Sequence, residues 1–191
     1  KFNSITEKFI FYNIPTLLFS LIPFFLITGP FLSDLSISLI SLIFLIYCIK
    51  GKDFTFFYNK YFFYFLFFWI YLIFNTFINN NLDNLGSVLV YSRFGIFMVA
   101  VVALLNFNSQ FIKYFFYCIL ICFSCLILDG LYQYFSGYNI LGWENSSRTS
   151  SFFGEEKILG SYLSRLWPIF FAIYILIFKE KNKLFFFLVL I

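Results

Sequence analysis

Long apolar runs separated by short polar stretches organise the chain. Six of them, Phe9–Thr28, Leu32–Ile49, Tyr61–Ile78, Gly86–Leu105, Phe111–Leu128 and Ile158–Phe178, each hold 18 to 21 residues. That length fits ~30 Å of hydrocarbon at the ~1.5 Å rise per residue of an α-helix. Apolarity is continuous rather than alternating, so the runs do not read as the strands of a barrel. The pattern predicts an all-α, polytopic transmembrane helix bundle of six complete helices. A last apolar stretch, Leu184–Ile191, predicts the start of a seventh. Pro15 and Pro23 each remove a backbone donor and are expected to bend the first helix.

Composition agrees with that pattern. Hydrophobic residues make up 62% of the 191 positions and charged residues only 12%, about half the share that clothes an average soluble domain. Phenylalanine occurs 34 times, and most of it reads as lipid-facing filler, so aromatic stripes carry little functional weight. The chain begins at Lys1 and stops within an apolar run. It is expected to be one integral-membrane domain, residues 1–191, from a longer protein.

Charge placement predicts orientation. Lys1, Lys8, Lys50, Lys52, Lys60, Lys113, Lys179, Lys181 and Lys183 fall on one side of the bundle. The positive-inside tendency makes that side, and the N-terminus, cytoplasmic. The opposite loops Gly29–Asp34 and Asn79–Leu85 carry no Lys or Arg, and their acids are Asp34 and Asp83. The loop Phe135–Lys157 stands apart. It holds Arg148, Lys157, Glu144, Glu155, Glu156, five serines and three glycines.

Candidate chemistry therefore gathers on the outer side. Arg148 and Lys157 offer a planar fork and a point charge, both suited to phosphate oxygens. Arg165, eight residues beyond Lys157, shares a helix face with Lys157, Ser161 and Ser164 at i, i+4 and i+7/i+8 spacing. Arg93 lies similarly within the fourth helix. Intramembrane arginines line polar cavities or snorkel to the interface. Asp129 and Gln133 lie one turn apart at the end of the fifth helix, where an acid could bind a sugar hydroxyl. Asp129 could equally form a structural ion pair with Arg93 or Arg165. Glu155 and Glu156 read either as part of this cluster or as acids opening the sixth helix, where the dipole favours them.

Other chemistry is poorly supplied. With no histidine, the commonest general base and metal ligand is missing. Cys48, Cys118, Cys122 and Cys125 read as packing residues rather than a metal site. No phosphate-cradling glycine loop, Ser–His–Asp set or nucleic-acid surface is present.

Two segments bear a family likeness. Residues 129–142, DGLYQYFSGYNILG, and 148–163, RTSSFFGEEKILGSYL, resemble the bacterial O-antigen ligase/polymerase family in a D-x-x-Y-Q-x-x-x-G stretch, an Arg followed by small residues and an aromatic, and a G-x-Y-L that opens the next helix. The likeness covers about Asp129–Pro168, with Tyr91-Ser-Arg93-Phe-Gly95 a less specific match upstream. It implies a multi-pass enzyme of the bacterial inner membrane, working at the periplasmic face without metal or cofactor. Such enzymes transfer a glycan from an undecaprenyl-diphosphate donor. The acceptor is a lipid A–core sugar in the ligases and another lipid-linked repeat unit in the polymerases. Arg148 matches the position that holds the donor diphosphate, and Arg165, Lys157 and Arg93 are candidates to join it. Asp129, Gln133 and Glu155 would orient sugars. The ligases' periplasmic histidine has no counterpart in these 191 residues. A transporter or flippase, with arginines lining a pathway, is the alternative.

Overall fold

The computed structural model describes residues 5–79, 82–107, 110–145 and 148–178. The expected seventh helix at Leu184–Ile191 lies outside them, as do Lys1, Lys179, Lys181 and Lys183. Six helices are long and apolar enough to cross a membrane: α1 (Thr6–Thr28), α2 (Pro30–Gly51), α3 (Lys60–Ile78), α4 (Leu85–Phe107), α5 (Phe111–Ser136) and α6 (Leu159–Ile177). Among the described residues no strand forms, and the one pairing of extended backbone is an antiparallel bridge between Tyr138 and Glu144.

The two prolines of α1 are handled differently. A wide π-helical turn at Phe9–Asn13 precedes Pro15. Pro15 could not have supplied the regular i→i−4 bond to that turn. Pro23 sits inside the following α-helical stretch. The expected outer loop Gly29–Asp34 shrinks to Gly29 alone, because Pro30 starts α2. Proline is preorganised for the first helical position, where its missing N–H costs nothing. Gly29 has φ 126°, a value that side-chain-bearing residues rarely adopt. Asp34 is consequently a helix residue, one turn into α2.

The described helices fall into two compact units. In the first, Lys1–Ile22 with Gly29–Phe111, α2 packs on α4 through Ile40, Phe44, Cys48, Val99, Ala100 and Ala103. Small residues let the two backbones approach closely. Ser41 shows the closeness: its hydroxyl donates to Ile37 O at 2.8 Å and to Arg93 O at 3.0 Å. α4 is broken by a turn at Tyr91, beside which Trp69 Nε1 of α3 donates to Val88 O at 2.8 Å. Gly95 lies directly under the Phe65 ring, with no room for a Cβ. At the far end of α2, Lys50 pairs with Glu7 at 2.6 Å. In the loop that follows, Thr55 donates both its hydroxyl and its N–H to Asp53. Those two bonds hold the exposed Asp53 carboxyl below its ordinary pKa.

The second unit comprises Pro23–Thr28 and Ile112–Ile191. Its core joins α5 and α6 through Phe116, Ile119, Phe123, Leu126, Leu159, Tyr162 and Phe170. Phe116 stacks on Phe170 at 5.0 Å and Phe123 on Trp167 at 6.0 Å. Tyr162 Oη donates to Pro23 O at 2.6 Å. Cys122 is buried, Cys118 half-buried and Cys125 exposed.

Gly95→Ala should force the Phe65 ring aside, at an overpacking cost of about 1–3 kcal/mol. The thermal midpoint of the detergent-solubilised protein should fall, and Phe65→Leu in the same chain should recover most of the loss. Simple additivity of the two substitutions would show that the two helices do not meet there.

Candidate outer-loop site

α5 does not stop where its apolar run stops. It continues eight residues past Leu128 to Ser136, because the polar residues in that extension find partners in the chain that follows. Asp129 and Gln133, one turn apart, are 1% and 0% exposed. Asp129 Oδ1 accepts the Ile140 N–H at 3.0 Å and Oδ2 accepts the Ser151 hydroxyl at 2.6 Å. Gln133 Oε1 accepts the N–H groups of Ser150 and Ser151 at 2.9 and 2.8 Å. Its amide nitrogen donates to Trp143 O at 3.2 Å and to Ser150 Oγ at 3.3 Å.

A third buried side chain completes the floor. Asn139 donates through Nδ2 to Ser151 O at 2.7 Å and accepts the Trp143 N–H through Oδ1 at 2.7 Å. Ser151 holds φ 51°, an uncommon conformation for serine. Its hydroxyl, N–H and carbonyl are all bonded, and they over-determine it. Gly137 (φ 83°), Gly142 (φ 88°) and Gly154 (φ 65°) make the sharp turns. Gly154 also lies against the Trp143 indole, where an added Cβ would sit 3.3 Å from the ring.

The ion pair expected for Asp129 is therefore replaced by loop bonds. Among the described residues the ion pairs are Lys50–Glu7 and Arg93–Asp34. Arg93 belongs to the first unit. Its Nη2 donates to Asp34 Oδ2 at 2.9 Å, its Nη1 to Ser38 Oγ at 3.2 Å, and the guanidinium lies 5.0 Å over the Phe94 ring. Asp34, read from sequence as a loop residue, thus becomes its partner one turn inside α2.

Two clefts of about 500 and 360 Å³ open in the loop that this network holds. Arg148 and Lys157 line both. The larger also takes in Tyr134, Asn145, Thr149 and the start of α6 at Gly160–Ser161. The smaller adds Trp143, Glu144 and Glu155. Arg148 is exposed and forms no ion pair among the described residues. Glu155 and Glu156 do not open α6 as expected: the helix starts at Leu159 and has no acid in its first turn. The residues Gly154–Ile158 instead run as an irregular segment, which brings Glu155 to the rim of the smaller cleft.

Arg165 lies six residues into α6, exposed on the same side as Ser161 and Ser164, and lines neither cleft. Residues missed by sequence reasoning are Asn139, Trp143, Ser150 and Ser151. Gly137 and Gly154 flank this set and Gly142 lies within it, and these glycines were its one visible sign, since glycines around small polar residues mark tight turns.

Asp129→Ala should strand the Ile140 N–H and the Ser151 hydroxyl. Losing hydrogen bonds to a buried charged acceptor costs about 1.5–3 kcal/mol each. Limited proteolysis within 137–154 should accelerate by ten-fold or more, with α5 and α6 themselves uncut; an unchanged cleavage rate would deny Asp129 its anchoring role. No family model, the O-antigen ligase/polymerase family's included, no curated protein and no solved structure matches the chain.

Proposed function

We propose that the six helices are embedded in the bacterial inner membrane, with the outer loop on the periplasmic side, and that the protein is a glycosyltransferase of surface-polysaccharide assembly. In this reading it resembles O-antigen ligases and polymerases. Its donor is a glycan on undecaprenyl diphosphate, and its acceptor is a lipid A–core sugar or another lipid-linked repeat unit. The observation that carries the reading is the placing of Arg148 and Lys157. They line two adjoining clefts of the loop, the smaller shared with Glu144 and Glu155, and the Arg148 guanidinium has no carboxylate pairing among the described residues. A planar guanidinium beside an ammonium is suited to a diphosphate.

The chemistry follows from where charge develops. When the bond between the sugar's anomeric carbon and the phosphate oxygen breaks, negative charge grows on the leaving diphosphate. Fixed cations that meet it there lower the barrier without reorganising. Glu155, at the rim of the smaller cleft with Lys157, is positioned to accept a hydrogen bond from a sugar hydroxyl. Asp129 and Gln133 serve by holding the loop, because their polar atoms are occupied inside it. Arg165, one turn along from Ser161, is placed for the lipid side of the donor, and Arg93 is committed to Asp34.

Arg148→Ala in the full-length protein, reconstituted with a diphosphate-linked glycan and acceptor, should lower transfer by about 10²–10³-fold. Membrane levels should be unchanged, since the side chain is exposed. Arg148→Lys should retain part of the activity. Undiminished transfer removes the assigned role, and movement of a labelled donor across the vesicle without bond formation would make the protein a transporter.

A further inference from the structure

We propose that the turn Asn139–Trp143 is a lipid-immersed finger, which dips Ile140 and Leu141 among the acyl chains of the leaflet on the loop's side. The inference rests on the bilayer embedding proposed above and is independent of glycan transfer.

Depth comes from α5. At ~1.5 Å per residue, Asp129 stands about 24 Å along the helix from Lys113 and Ser136 about 34 Å. With Lys113 at one interface, ~30 Å of hydrocarbon ends near Gln133, between those two residues. After Ser136 the chain reverses. Gly137 N donates to Gln133 O at 3.0 Å, closing the helix, and Ile140 N then bonds Asp129 Oδ1 at 3.0 Å. Helical Cα–Cβ bonds lean toward the N-terminus, so that carboxylate lies level with Asp129 or deeper. Ile140 is thereby tied about 10 Å back from the helix end.

Two further observations fit hydrocarbon rather than water. Ile140 and Leu141 are 69% and 64% exposed, and Leu128 and Leu131 are exposed on α5 at the same level. From Gly130 to Trp143 there is no charged residue, while Tyr132, Tyr134, Tyr138 and Trp143 are the aromatic types that collect at membrane interfaces. The turn also bonds four of its five N–H groups within the protein, that of Leu141 being the exception. Asn139 N bonds Trp143 O, Gly142 N bonds Asn139 O, Trp143 N bonds Asn139 Oδ1, and Ile140 N bonds Asp129. Each such bond removes the cost of taking an unpaired backbone group out of water, which a turn just below the interface must otherwise meet.

The test uses the full chain with its native cysteines replaced, carrying single spin-labelled cysteines in phosphatidylcholine–phosphatidylglycerol vesicles. Labels go at Leu141, at Glu144 in the same loop and at Leu120 in mid-α5. Collision with oxygen relative to a water-soluble nickel chelate reports depth. The ratio at Leu141 should approach that at Leu120 and exceed that at Glu144 by roughly ten-fold, as hydrocarbon exposure requires. A ratio at Leu141 equal to that at Glu144, with Leu120 still lipid-like, overturns the finger. A water-like ratio at Leu120 as well overturns the embedding on which it rests.

Discussion

Four donors of the outer loop, the N–H groups of Ile140, Ser150 and Ser151 and the Ser151 hydroxyl, end on two side chains of a single turn of α5. That convergence is the constraint from which the loop's other features follow. A buried carboxylate is costly unless its lone pairs are met, and a buried N–H is costly unless it finds an acceptor. Asp129 and Gln133 solve both requirements at once. Their burial forces the chain to fold back, the reversal demands glycine conformations at Gly137, Gly142 and Gly154 and an unusual one at Ser151, and the residues left on the surface of this knot include Arg148 and Lys157.

The first unit uses an ion pair instead, and leaves the buried Nε of Arg93 without a hydrogen-bond partner. Arg93 and Asp34 neutralise one another between α4 and α2, with Ser38 taking a second guanidinium nitrogen. The pair is partly open, with Asp34 half-exposed, so its worth lies more in fixing which faces of α2 and α4 meet than in raw stability. Ser41 reinforces that choice by bonding the Arg93 carbonyl.

Helices were legible in the sequence because continuous apolarity over about 20 residues has few other readings. Their ends were less so. α5 overran its apolar stretch because Asp129 and Gln133 are satisfied by residues 10 to 22 positions away in the chain, a pairing no local pattern reveals. α2 began early because Pro30 reads as a loop breaker yet is equally at home at a first helical position. Arg148, Lys157 and Glu155 could be singled out, since charges are scarce, and the structure brings all three to the smaller cleft. That Asp129 would serve the loop rather than an arginine depended on the Ser151 hydroxyl reaching it, and a serine among five in one loop carries no mark of that.

The loop's wiring also bears on the order in which the protein is made. Every partner of Asp129 and Gln133 lies between Trp143 or Ile140 and Ser151, upstream of the first residue of α6. Contacts so close in sequence close quickly, because little chain entropy is spent in bringing them together. As the nascent chain emerges, the knot on α5 has all its parts before α6 is synthesised. α6 then packs its Leu159 and Tyr162 against a surface already shaped to receive them.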